Sequence, residues 1–271
     1  MQKILLASFA VLLFLPNLFN KDINPVLAYD KKEKFDSRLS YINSITKLEA
    51  HTDSIAVQKN ITPGNYEYVE LLENVLENRF YHGFSHFALS ENWIAAIAGK
   101  FIKEDYACKV QPEEILQHCN AACSQQAIVM MAVLRNKKIS YRSLGFPHHY
   151  AMGVLLKNDW YFFDANMEPE ISRENRRLTN WKHHNDYLKK YYDTNRFNDL
   201  DYKFGNSLLA IVGVTNEVPA RNARLFDAVT GLLSKICWIF PLFLMFYRPK
   251  PMRLPFSFRI PKKKPSFSLS V

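Results

Sequence analysis

Cys123, His149 and Asp164 are the residue types of a cysteine acyl-transfer site, in the chain order nucleophile, base, orienting carboxylate. Cys123 opens an apolar run that continues to Leu134. His148 and His149 follow Phe146-Pro147, and Asp164 closes the stretch that begins at Trp160. The thiolate is the reactive form of cysteine, so the surroundings must stabilise it. A cysteine at the N-terminus of a buried helix has the positive end of the helix dipole beside its sulfur. Its backbone N–H is also free to donate to a developing oxyanion. A histidine within reach takes the thiol proton and later returns it to the leaving group.

Those three side chains need elements to position them. The run from Ser124 to Leu134 is apolar nearly all round, which predicts a buried, central helix. After it the period changes to two, and residues 139–145, 149–156 and 160–163 read as successive strands. Lys157-Asn158 or Asn158-Asp159 supplies a tight turn between the last two. A two-residue turn at 157–158 sets Ala151 opposite Asp164 and Asn166 opposite His149. Side chains alternate along a strand, so His149 then shares a face with Asp164 while His148 points to the other face. A three-residue loop would reverse this and make His148 the base. Upstream, residues 65–80 suit a helix, Ser90 is placed to cap a helix entered at Trp93, and Pro112 opens a short one. Residues 29–62 read as a linker or peripheral helix, 181–204 as helical and aromatic, and 208–214 as one more strand.

With these motifs the chain resembles the transglutaminase-like superfamily of papain-like cysteine enzymes. Members carry a catalytic Cys opening a helix that ends in Leu-Leu-Arg, then a hydrophobic strand, a His-bearing strand and a Trp-x-x-x-Asp strand. Here Cys123 to Leu134-Arg135 matches the helix, Ile139 and Arg142 follow at the usual places, and His149, Trp160 and Asp164 fall in register. Pro112-Glu113-Glu114-Ile115-Leu116 is similar to the helix before the cysteine. The resemblance covers about residues 90–170 and implies an α+β fold, with a papain-like core whose Cys helix packs on an antiparallel sheet presenting His and Asp. It also implies a protein or peptide substrate, a thioester intermediate and no cofactor. An upstream aromatic or amide often helps build the oxyanion hole in such enzymes, which makes Trp93 and Gln117 candidates. The chain departs from the pattern where members have Gly before the Cys, having Asn120-Ala121-Ala122 instead. It departs again after the histidine, at Ala151 and Gly153. Those departures leave open a catalytically inactive binding or scaffold module of the cell envelope.

The net charge of +9 suggests nucleic acid until it is mapped. Seven cations (Arg248, Lys250, Arg253, Arg259, Lys262, Lys263 and Lys264) lie after Tyr247 with no acidic residue among them, leaving the remainder near neutral. A nucleic-acid partner therefore loses its support. Residues 1–28 have the short basic start and apolar stretch of a signal peptide or an N-terminal anchor. Residues 228–247 are long and apolar enough for a transmembrane helix, with Lys235 the one charge against it. The basic tail, 248–271, then satisfies the positive-inside rule and puts the transglutaminase-like domain, 63–220, on the extracytoplasmic side of a membrane. In an oxidising compartment Cys108 and Cys119 are candidates to pair. His118, Cys119 and Cys123 with His148 and His149 have soft-ligand character. No Cys-x-x-Cys or His-Glu-x-x-His spacing supports a metal, so none is expected.

Overall fold

In a computed structural model describing residues 2–25, 27–181, 186–205 and 210–247, the period-two segments pair into one antiparallel sheet within an α+β fold. Ahead of the sheet run α1 (Gln2–Phe14), α2 (Ile45–Gln58), α3 (Tyr66–Arg79), α4 (Leu89–Phe101), α5 (Pro112–Ile115) and α6 (Cys123–Asn136). The sheet is β1 (Tyr141–Gly145), β2 (Tyr150–Leu156), β3 (Asp159–Phe163) and the short β4 (Ile211–Val212), in spatial order β3-β2-β1-β4. Around and after it lie α7 (Asp186–Lys189), α8 (Leu200–Phe204), α9 (Arg221–Ile236) and α10 (Ile239–Phe246). The strand expected over 208–214 is described only from Ala210 onward.

The β2–β3 hairpin has the register the turn chemistry predicts. Met152 faces Phe163 and Leu156 faces Asp159, so Lys157 and Asn158 are the two turn residues. Both have positive φ, 49° and 71°, as a type I′ turn requires to match the strands' twist. Gly153 lies opposite Arg142, and a Cβ added there would meet the Arg142 side chain at 3.3 Å. The glycine leaves room for the guanidinium to lie over the Trp160 ring, 4.0 Å from its centroid.

Alternation sends the two faces of this sheet into different apolar clusters. Tyr141, Met152, Val154, Tyr161 and Phe163 join α2, α3 and α6 in one. Leu144, Ala151 and Phe162 join Trp181, Leu188, Tyr192, Phe197 and Phe204 from the aromatic C-terminal segment in the other. That segment forms short turns of helix rather than one long one, with residues 182–185, including His183 and His184, outside the described range.

Of the linker or peripheral helix expected over 29–62, a helix is present: α2 buries Ile45, Leu48, Thr52 and Ala56 on one stripe of the main core, and Ile42 just before it is fully buried. Two expectations are corrected here. Ser90 is not a cap. Asn92 has non-helical φ/ψ (−152°, 80°) and its side chain accepts from the Ala95 N–H at 3.1 Å, so Asn92 caps the helix entered at Trp93. The apolar stretch 228–247 is not one helix, and among the described residues no single helix is long and apolar enough to cross a membrane. It is split between α9 and α10, bent by 49°. Pro241 lacks an N–H and is tolerated in a helix only near its start, so a new helix begins two residues before it.

Candidate active site

His149 immediately precedes β2 and Asp164 immediately follows β3, so the hairpin brings them together at one end of the sheet. His149 Nε2 lies 2.7 Å from Asp164 Oδ2, with both side chains sealed from solvent. The remaining ring nitrogen is Nδ1, and Cys123 lines one small cavity together with Asp164. Burial works against the charged imidazole. Asp164's charge and hydrogen bond, with help from the Cys123 sulfur, outweigh it and push the pKa up to about 10. His148 is turned away, its ring stacked on Tyr202 with centroids 3.7 Å apart.

Asp164 is held on every side. Tyr192 donates its hydroxyl to Oδ2 at 2.7 Å, and the N–H groups of Asn166 and Met167 donate to Oδ1 at 3.2 and 3.3 Å. Burial opposes the carboxylate, but His149 and these donors hold its pKa below the ordinary aspartate value. Burial and the neighbouring carboxylate raise the Tyr192 pKa well above its usual value, so Tyr192 stays a donor. The backbone N–H of Asp164 donates to Glu73 Oε1 at 2.7 Å. Glu73 in turn takes a bidentate fork from Arg176, at 2.9 and 2.8 Å, and Arg176 also donates to the Phe162 carbonyl. Burial pushes the Glu73 carboxyl up; burial works against the Arg176 guanidinium as well, but the charge and hydrogen bonds of Glu73 outweigh it and raise the guanidinium pKa.

Cys123 reaches this end of the sheet as the first residue of α6. Ala122 offers no side-chain cap, so the first N–H groups of the helix, that of Cys123 included, meet no capping side chain. The helix start is fixed instead by Gln125. Its amide oxygen accepts from the N–H groups of Ser85 and Ala122, and its nitrogen donates to the carbonyls of Ser85 and Lys109, all within 2.8–3.1 Å. From the hairpin side Asn166 Nδ2 reaches the Ala121 carbonyl at 3.2 Å, tying the end of β3 to the residues before the cysteine. Cys123, itself only partly buried, lines a small cavity of about 10 Å³ walled by Ala127, Met130, Tyr150, Met152 and Phe163.

Of the residues expected from sequence, Cys123, His149 and Asp164 come together; Trp93 and Gln117 do not join them. The Trp93 indole N–H donates to the Ser234 carbonyl at 3.0 Å, and Gln117 Nε2 donates to the Asn43 carbonyl at 2.7 Å. Cys108 and Cys119 are both free thiols. Cys108 faces the Glu104 carbonyl and Cys119 faces the Ser40 hydroxyl. Among the described residues no three His, Cys, Asp or Glu side chains are grouped to hold a metal ion. Sequence reasoning missed Gln125, Glu73, Arg176 and Tyr192. Gln125 carries a signal, because it is the third residue of the helix, where Gln or Glu reaches back to the capping N–H. Glu73 carries another: it lies within the stripe of Val69, Leu72 and Leu76, a charge on an apolar face.

Comparison of the chain with protein-family models, with curated proteins and with solved structures finds no match.

Proposed function

We propose that this chain is a membrane-anchored, transglutaminase-like cysteine enzyme acting on amide or peptide bonds on the extracytoplasmic side. The observation that carries the reading is the buried His149 imidazole engaged by the Asp164 carboxylate through Nε2, with Cys123 and Asp164 lining one cavity. In this mechanism Cys123 sulfur attacks the substrate carbonyl and the oxyanion forms against the Cys123 N–H. The C–N bond then breaks, and the imidazolium returns its proton to the leaving amine. A thioester remains. Water, deprotonated by His149, attacks it and releases the acid; an amine in place of water would give transamidation. Hydrolysis is preferred because the sequence carries no substrate-binding signature for a protein-bound amine. Asp164 keeps the imidazole oriented throughout.

One observation favours a second reading, an inactive binding or scaffold module: the cavity lined by Cys123 and Asp164 is about 10 Å³, the size of a single water. An activity-based thiol probe decides between them. Cys123 should be labelled in the wild type, and His149→Ala should slow that labelling about 100-fold or more. Cys123→Ala should lose both labelling and amidase activity. Activity that persists in Cys123→Ala sinks the enzyme assignment.

A further inference from the structure

Helix α9 is built the wrong way round for water. Its buried residues are Thr230 and Ser234, and Asp227 joins them in hydrogen bonds to Asn92 of α4. Leu225, Val229, Leu232, Leu233 and Ile236 repeat at helical spacing on the side that is exposed. A helix on a water-facing surface has the opposite arrangement, with its apolar stripe inward. The same outward apolar surface continues onto α10, where Phe240, Phe243 and Phe246 are exposed, and onto α1, where Ile4, Leu5, Val11 and Leu12 are. These two end helices pack on each other, and Phe14 meets Trp238 edge-on at 5.4 Å.

A polar collar separates this apolar pair from the rest of the molecule. Asn17 Nδ2 donates to the Ser234 carbonyl at 3.0 Å, and Lys235 Nζ donates to Asn17 Oδ1 and to the Ser90 carbonyl. Lys235, the charge that counts against a single span, is therefore held by protein oxygens at the foot of the pair. Beyond the collar the N-terminal segment is part of the fold. The Phe19 and Lys21 carbonyls accept from Ser90 and Leu89, and buried Asn24 donates to the Ala96 carbonyl at 3.2 Å.

We propose that α1 is a permanent element rather than a leader that is removed, and that α1, α10 and the outer stripe of α9 form one surface embedded in a lipid bilayer. The inference rests on the membrane-anchored reading for its occupant and adds to it which segments touch lipid. Charge argues for a bilayer with anionic headgroups, because Lys3 opens α1 and seven cations follow α10 in sequence. The two-helix arrangement also replaces the single C-terminal span expected from sequence.

The test uses the full chain extracted from host membranes and reconstituted into vesicles of phosphatidylcholine and phosphatidylglycerol, with and without brominated acyl chains. Its intact mass should include residues 2–28. Brominated lipid should quench the tryptophan emission, and Trp238→Phe should remove more of that quenching than Trp93→Phe, since Trp93 lies at the collar on the Ser234 carbonyl and Trp160 and Trp181 pack about the sheet. Leu225→Lys with Leu232→Lys, both exposed, should lower the vesicle-bound fraction about tenfold or more. A mature chain beginning after Ala28 overturns the proposal, as does Trp238 emission indifferent to bromination. A dimer that hides the stripe in detergent-free buffer also overturns it. Thiol-probe labelling of Cys123 in the same sample keeps the two readings apart. Lost labelling with intact quenching sinks the enzyme and leaves the anchor; a cleaved N-terminus with Cys123 still labelled overturns this proposal and leaves the enzyme.

Discussion

Asp164 gathers four donors on its two oxygens, and removing any one of them shifts what it does to His149. Tyr192→Phe deletes a buried hydrogen bond to a charged group, at a cost of about 1–3 kcal/mol by chemical denaturation. Because that hydroxyl helps to hold the Asp164 pKa down, the variant should also raise the Asp164 pKa, read by carboxyl NMR titration. A merely structural role would leave that titration in place. The imidazole makes the opposite kind of contribution to stability. Its folded pKa, about 10, is raised above the ordinary 6.5. The stabilisation is therefore complete below about pH 6.5 and lost as pH rises to about 10, on the order of a few kcal/mol in all. His149→Gln should flatten the stability profile across that window, measured by denaturant midpoints in a pH series.

At the scale of elements, the hairpin and the start of α6 do the positioning, and each offers a handle. Lys157 carries positive φ without the side chain that suits it, so Lys157→Asn with Asn158→Gly should stabilise the fold by about 0.5–1 kcal/mol in a thermal melt. Gln125→Ala should do the reverse. It leaves the Lys109 carbonyl and two N–H groups without partners, while the Ser85 carbonyl keeps the Lys109 N–H, for a loss of about 2–4 kcal/mol. Arg176→Met strands the Glu73 carboxylate in the interior and should cost about 3–5 kcal/mol, most of it recovered when Glu73→Met is added. The hairpin was legible from sequence because turn chemistry and strand period are local, and together they select His149 over His148. Tyr192 was not. It lies 28 residues beyond Asp164, reached through irregular chain whose path depends on tertiary packing. The core stripe of α2 was also hidden, since Lys47, Glu49, His51 and Asp53 surround it and give the segment the look of a linker.

Seen whole, the molecule separates a sheet-centred body from an apolar pair of end helices. The break between α9 and α10 was hard to read because hydropathy alone treats 228–247 as continuous, whereas Pro241 and the polar contacts of Ser234 and Lys235 divide it. The sheet also divides the site itself. Cys123 arrives with the cluster on one face, while His149 and Asp164 are braced by aromatic residues from the cluster on the other. A chain folded only as far as Phe163 therefore holds a cysteine and a histidine but neither the braced carboxylate nor the tyrosine that fixes it. In the enzyme proposed above, the nucleophile would then be completed last. Until the chain beyond Phe163 has folded, the thiol would be as inert as any other, and the finished fold itself would serve as its safety catch.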